Sequence, residues 1–101
     1  MSINMFDREL DNLKELLTMA MNAVIADSLE VETDLVHPDA QLVADLGMSA
    51  VTKRRLTREI SFIFDCPEVE LSSAMKVKQL VDHVANIEFS RLYPNLSAQV
   101  A

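Results

Sequence analysis

The sequence predicts an all-α fold, a small four-helix bundle in which a long loop joins helices one and two. Half of the 101 residues are apolar, while the chain contains one Gly, three Pro and no Trp. This composition is typical of a helical bundle rather than of a protein built from strands and turns. Apolar residues also recur at spacings of three and four, the period of a helix with one buried face. The length suits one domain, which we expect to span residues 1–101.

Helix one is predicted from about Met5 to about Ser28, which makes it an extended N-terminal helix. Its predicted apolar face consists of Phe6, Leu10, Leu13, Leu17, Met21 and Val24. Asn4 is the predicted N-cap, because Asp7 and Glu9 follow it in the first turn, where carboxylates interact favourably with the helix dipole.

Residues 30–46 are predicted to form a long ordered loop. His37 precedes Pro38, and a residue before proline is pushed out of helical geometry. The apolar side chains that we expect to anchor this loop to the core are Val31, Leu35, Val36, Leu42 and Val43. A connection of this length usually has a function.

Helix two is predicted to begin at Ser49 and to end before Cys66-Pro67. Its predicted buried stripe consists of Leu56, Ile60, Ile63 and Phe64, which fall within about 100° of one another on a helical projection. The opposite arc carries Val51, Arg54, Arg55, Arg58 and Phe62.

A short turn of helix is predicted around Leu71, and a last helix follows it. The apolar face of that last helix consists of Val77, Leu80, Val81, Val84 and Ile87. Pro94 is predicted to stop the helix, and we expect the tail over residues 95–101 to be frayed.

The formal net charge of −7 is unevenly distributed along the chain: −8 over residues 1–47, +2 over residues 48–65 and −1 over residues 66–101. Because most of such a surface repels phosphate, we expect no nucleic-acid binding. The chain has no apolar run of 18 residues and no basic start with an apolar core, so it predicts neither a membrane span nor a secretion signal. Cys66 is the only cysteine, which excludes an internal disulfide and favours a cytoplasmic location.

Three segments of the sequence are informative because of their order and of the number of residues between them. Residues 24–47 read VIADSLEVETDLVHPDAQLVADLG, and Phe64-Asp65 and residues 75–84 come after them. In this order, these segments resemble the end of helix one with its loop and Asp-Leu-Gly, the close of helix two and the last helix of the acyl carrier proteins. The first segment matches without a gap, and the spacing from Gly47 to Phe64-Asp65 is that of the family. The resemblance covers about residues 15–88 and implies their small four-helix bundle. Residues 1–14 look like an N-terminal extension.

The resemblance implies a carrier function and locates its key position. In this family a phosphopantetheinyl transferase moves phosphopantetheine from coenzyme A onto a serine at the start of helix two. The thiol of that arm then carries acyl groups as thioesters for fatty acid, polyketide or related lipid biosynthesis. The serine position reads Ala50 here, which has no nucleophile. We therefore expect phosphopantetheine to be absent from the chain as written.

Ser49 stands one residue before that position, in the place of the family's aspartate. Its use as a fallback attachment site would break the spacing from Gly47 to Phe64 and rotate helix two by about 100°. The sequence favours an N-cap at Ser49 instead, with Thr52 three residues on. Two explanations for Ala50 stay open: a natural loss of the attachment site, or an engineered Ser→Ala that blocks the arm. If position 50 is natively serine, a phosphopantetheinyl transferase is a partner.

The basic arc of helix two departs from the resemblance in charge. The family's helix two is acidic and docks on basic patches, whereas this arc carries arginines at 54, 55 and 58 beside Val51 and Phe62. Apolar groups flanked by arginine are typical of an interface. We therefore expect acyl-transferring or synthase enzymes to bind here through an acidic patch. The simpler alternative is a solvated charged face, and a further one is an interaction protein that uses this face without being a carrier.

Two other classes of protein fit the sequence less well. Residues 52–60 could form the recognition helix of a DNA-binding helix-turn-helix, but residues 30–46 lack the pattern of the helix that must precede it. His37 and His83 have no neighbouring Ser, Cys or metal-ligand spacing. We therefore expect no catalysis by this chain and no metal site.

Overall fold

Three α-helices and one short 3₁₀ turn make up the regular structure of residues 5–92, the part of the chain that the computed structural model describes; for residues 5–7 it describes the backbone alone. The elements are α1 (Met5–Leu29), a 3₁₀ turn (Thr33–Leu35), α2 (Ala50–Phe64) and α3 (Val77–Leu92). The predicted all-α class is confirmed, since these residues contain no strand beyond an isolated bridge between Gln41 and Lys76. None of these helices is long and apolar enough to cross a membrane. The predictions at Asn4, the Phe6 side chain, Pro94 and residues 95–101 fall outside the described residues.

Helix α1 is the central element, because both α2 and α3 pack against it. Leu17, Met21 and Val24 are buried, and Leu10 and Leu13 pack against the core cluster, so the predicted face is confirmed at these five positions. The helix runs without a break through residues 5–14, the segment that the sequence marks as an extension.

Helix α2 contacts the core through a narrower stripe than predicted. Leu56 and Ile60 are fully buried, and Phe64 is partly buried against the core cluster. Ile63 is 49% exposed, so its predicted burial is wrong. The physical reason is that α2 makes its main helix contact with α1, and Ile63 lies at the edge of the stripe that faces α1.

The loop between α1 and α2 is ordered by side chains that enter the core. Val36 and Leu42 are buried and Val31 is partly buried, as predicted. Leu35 and Val43 are exposed, so their predicted role as anchors is wrong. Leu35 lies in the 3₁₀ turn, whose residues are all outside the core, and Val43 lies in the following turn next to the buried Leu42.

Backbone hydrogen bonds attach this loop to the start of α3. The Leu42 N–H donates to Met75 O at 3.0 Å, and the N–H groups of Val77 and Lys78 donate to Ala40 O and Pro38 O at 3.0 and 2.9 Å. Lys78 Nζ also lies 3.0 Å from Asp39 Oδ1. That interaction with Lys78 lowers the pKa of the Asp39 carboxyl, so the carboxylate stays ionised to a lower pH than an ordinary aspartate.

The segment between α2 and α3 contains no helix. The predicted turn of helix around Leu71 is wrong: the Met75 N–H donates to Ser72 O at 3.2 Å and closes a single turn instead. Val69 and Leu71 are buried, so the segment covers the core with two side chains while its backbone stays irregular. The described residues therefore contain three α-helices rather than four.

Replacing Gly47 with alanine is expected to destabilise the fold by about 1 kcal/mol. Gly47 has a φ of +70°, while a Cβ built on it would meet no atom within 4 Å, so the cost is conformational rather than steric. Urea unfolding measures the difference. Gly47→Asn is the matched control and should cost less, since asparagine adopts this backbone region more readily than alanine. Equal stability of the alanine variant and the parent would contradict the prediction.

Candidate functional site

The residues Asp45-Leu46-Gly47 form the turn that leads into α2, and each has a separate structural role. Asp45 Oδ2 accepts a hydrogen bond from the Gln41 N–H at 2.7 Å. Leu46 is buried in the core cluster. Gly47 has the positive φ that reverses the chain, after which the Met48 N–H donates to Leu42 O at 2.9 Å. This turn determines where α2 begins.

Ser49 is the N-cap of α2, as the sequence favours. Its backbone is extended, and its Oγ accepts a hydrogen bond from the Thr52 N–H at 3.2 Å. In return, Thr52 Oγ1 accepts a hydrogen bond from the Ser49 N–H at 2.7 Å. This reciprocal arrangement is a capping box, in which two backbone donors are satisfied by side chains. The Ser49 hydroxyl is therefore engaged in stabilising the helix start.

Ala50 is the first residue of α2 and is exposed. A side chain at this position projects from the end of the helix next to the turn, so a group attached here would be accessible to solvent. The methyl group of alanine offers no bond-forming chemistry. Ser28, in the tripeptide Asp27-Ser28-Leu29, lies inside α1 and is fully buried, so it does not present a hydroxyl to solvent either.

The structure brings the five predicted interface residues onto one exposed face of α2. Val51 is 69% exposed and Phe62 is 83% exposed, and the side chains of Arg54, Arg55 and Arg58 are exposed between them. We call these five residues the basic face. It has the composition of an interface, with large apolar groups flanked by arginine.

The cations of this helix differ in whether they have a partner within the chain. Arg55 Nη1 lies 3.9 Å from Glu30 Oε2 and donates to Ser28 O at 3.4 Å, which ties it to the end of α1. The side chains of Lys53, Arg54 and Arg58 make no hydrogen bond or ion pair with any other described residue. Three neighbouring cations are therefore uncompensated in a chain of net charge −7.

Two open depressions flank the ridge formed by Arg54 and Arg58, each with a volume of about 360 Å³. The first, which we call the Lys53 pocket, is lined by Ala50, Lys53, Arg54, Thr57, Arg58 and Glu68. The second is lined by Val51, Arg54, Arg55, Arg58 and Glu59. Thr57 and Glu68 were not predicted from the sequence. Thr57 lies one helical turn after Lys53 and could have been found by spacing, whereas Glu68 follows α2 in an irregular segment without periodicity.

The exposed groups of this site are suited to binding an anionic or apolar surface. Its side chains supply positive charge, hydrogen-bond donors and apolar surface. The described residues contain no group of three His, Cys, Asp or Glu side chains that could hold a metal ion. Cys66 is buried at the other end of α2, and burial raises the pKa of its thiol, which disfavours the reactive thiolate.

Ser49→Ala is expected to destabilise the protein by about 1 kcal/mol, because it removes the side-chain acceptor that caps α2. Urea unfolding measures the loss, and Ser49→Asp should restore most of it because aspartate is an equally good cap. Ser73→Ala, at an exposed loop serine, is the matched control and should change stability by less than about 0.5 kcal/mol. Equal effects of the two alanine substitutions would show that the cap does not stabilise the helix.

No family model matches the chain, and no curated protein matches it. The resemblance to the acyl carrier proteins therefore rests on the order and spacing of the chain's own motifs.

Proposed function

We propose that this protein is a divergent member of the acyl carrier lineage that binds biosynthetic enzymes through α2 and, as written, carries no phosphopantetheine. The observation that supports this most strongly is the junction of the Asp45-Leu46-Gly47 turn with the capped start of α2. That junction puts position 50 at the exposed first residue of the helix. A carrier needs its attachment residue at such an accessible, rigidly positioned point.

The proposal also includes the fold, which we place in the same lineage as a variant of the acyl-carrier bundle. In the acyl-carrier bundle that the sequence resembles, a short helix is expected between α2 and α3. Here residues 66–76 take that place, with Val69 and Leu71 supplying the buried side chains and a single turn at the end. The buried residues still form one core cluster around α1, which is what the bundle requires.

The residue at position 50 distinguishes two forms of the proposal. With serine there, the chain is a carrier for acyl intermediates of fatty acid, polyketide or related lipid biosynthesis in the cytoplasm, and a phosphopantetheinyl transferase is its first partner. With alanine, whether by natural loss or by engineering, the chain has no attachment hydroxyl. It then acts by binding enzymes without holding a substrate and has no catalysis of its own.

The basic face supports binding to an acidic surface. The unpaired arginines at 54 and 58 can each donate two hydrogen bonds to a carboxylate. Phe62 and Val51 can bury apolar area beside them. Acyl-transferring or synthase enzymes with an acidic patch fit this face. The same face equally suits the second candidate function, an interaction protein outside the carrier lineage.

Ala50→Ser is expected to make the protein a substrate for phosphopantetheine transfer, while the present chain stays unmodified. Both are incubated with coenzyme A and a broad-specificity phosphopantetheinyl transferase and then weighed by mass spectrometry. A mass gain in the Ala50→Ser variant alone supports the carrier lineage. A gain in neither protein favours the interaction protein, and a gain in the present chain would identify Ser49 as the attachment site.

Charge reversal on the basic face is expected to change the rate of that transfer. A transferase that docks through a basic surface should modify the Ala50→Ser protein faster when Arg54→Glu and Arg58→Glu are added, because repulsion between like charges is replaced by attraction. Initial rates at low ionic strength measure the effect, which we expect to be about tenfold or more. Arg8→Glu, near the start of α1, is the control and should leave the rate within about twofold. Equal rates for the parent and the double variant would contradict a docking role for this face.

A further inference from the structure

The Lys53 pocket combines positive charge, a hydroxyl group and a concave shape. Lys53 and Arg54 line it from one turn of α2, and Thr57 and Arg58 line it from the next turn. Glu68 also lines it, so the pocket has three cationic side chains against one carboxylate. Its volume is about 360 Å³, and it is open to solvent.

The cations of the pocket form no ion pair with any described residue, although Glu68 lines the same pocket. Of the other described cations, Lys14, Arg55, Lys78 and Arg91 each have a carboxylate partner within 4 Å, whereas Arg8 and Lys76 form no ion pair with a described residue. The side chains of Lys53, Arg54 and Arg58 have no hydrogen-bond or ion-pair partner among the described residues, although the chain contains 16 Asp and Glu against 9 Lys and Arg. An acidic protein that gathers unpaired cations around one pocket has the electrostatics of an anion site.

The arrangement also costs helix stability. Arg54 and Arg58 are four residues apart, where like charges destabilise a helix by about 0.2–0.5 kcal/mol. An anion that lies between them removes this repulsion and replaces it with two attractive contacts. No described acidic side chain makes an ion pair with either arginine, so an external anion would relieve the repulsion.

We propose that the Lys53 pocket binds, without covalent attachment, the phosphate group of a small soluble phosphate monoester. A phosphate monoester carries close to two negative charges and three acceptor oxygens at neutral pH. Two guanidinium groups, one ammonium group and the Thr57 hydroxyl provide the matching donors, whereas a carboxylate has one charge and two oxygens. The volume exceeds that of a bare phosphate and leaves room for a small organic group beside Ala50.

The remaining surface favours a small ligand over a polyanion. Residues 1–47 carry a net charge of −8, which repels a nucleic acid that extends beyond the pocket. Val51 lines the depression on the other side of the Arg54–Arg58 ridge. Phe62 and Ile63, the other large exposed apolar side chains of this helix, line neither depression, so these groups do not form one membrane-facing patch with the pocket.

This inference does not depend on the proposed carrier function. Phosphate binding uses the side of the ridge with Lys53 and Thr57 and requires no hydroxyl at position 50. Enzyme binding uses Val51 and Phe62 on the other side, together with Arg54 and Arg58, which both proposals share. Lys53 and Thr57 belong to phosphate binding alone, so a change at Lys53 tests it separately, and one proposal can fail while the other stands.

Phenyl phosphate is the probe, and the intact chain is titrated with it while amide chemical shifts and heat of binding are recorded. We expect saturable shifts at the amides of residues 50–58, with a Kd of about 1 mM or tighter. Lys53→Gln and Arg54→Gln should each raise the Kd about tenfold, the loss expected for one charge-assisted hydrogen bond. Arg55→Gln is the matched control: it removes the same charge from the adjacent position of the same helix, but it does not line the pocket, so the Kd should stay within about twofold.

Circular dichroism verifies that each variant keeps its helix content, which is expected because the substituted side chains are exposed. Sodium chloride at equal ionic strength should produce no saturable shift, and benzoate should bind more weakly than phenyl phosphate. The proposal is overturned by shifts that never saturate, by benzoate binding as tightly, or by equal losses in the Lys53→Gln and Arg55→Gln variants. It is also overturned if the chain does not bind phenyl phosphate and instead binds either single-stranded DNA or phosphatidylcholine vesicles that contain phosphatidic acid.

Discussion

The attachment of the long loop to the start of α3 is the constraint on which the rest of the structure depends. Three backbone hydrogen bonds join residues 38–42 to residues 75–78, and they fix the loop against a helix that packs on α1. From that fixed point the turn at Asp45-Leu46-Gly47 directs the chain into α2. The start of α2 is thus positioned by a chain of contacts that reaches back to the core, and so is every residue of the candidate site.

Ser49 has a hydroxyl that could be taken for an attachment site, but in the structure this hydroxyl forms the capping box of α2. Its hydroxyl accepts the Thr52 N–H, and the Thr52 hydroxyl accepts the Ser49 N–H, so both side chains satisfy backbone donors that would otherwise lack partners. The neighbouring Ala50 lies at the more accessible position but lacks a nucleophile. These two adjacent residues are where the chain departs from the carrier pattern that its spacing resembles.

Helix α2 is free to present charge because it is buried on only one side. Leu56 and Ile60 are its fully buried side chains, and its main helix contact is with α1. The same geometry that exposes Ile63 also exposes the basic face and the Lys53 pocket. Arg55 shows the limit of this freedom, because it lies near enough to α1 to donate a hydrogen bond to Ser28 O and to approach Glu30. Arg54 and Arg58 make no ion pair with a described residue, although Glu68 and Glu59 line the depressions beside them.

The sequence by itself determined the three long helices, the cap at Ser49 and the exposed arc of Val51, Arg54, Arg55, Arg58 and Phe62. These features depend on local periodicity and on hydrogen bonds between near neighbours, which a sequence records directly. Only the tertiary structure decided that Ile63, Leu35 and Val43 are exposed, that residues 66–76 contain no helix, and that Glu68 borders the Lys53 pocket. Sequence periodicity indicates which face of an element is apolar, but the burial of that face depends on whether another element packs against it. For the same reason, the pairing of Arg55 and the lack of partners at Lys53, Arg54 and Arg58 follow from packing across the fold rather than from spacing along the chain.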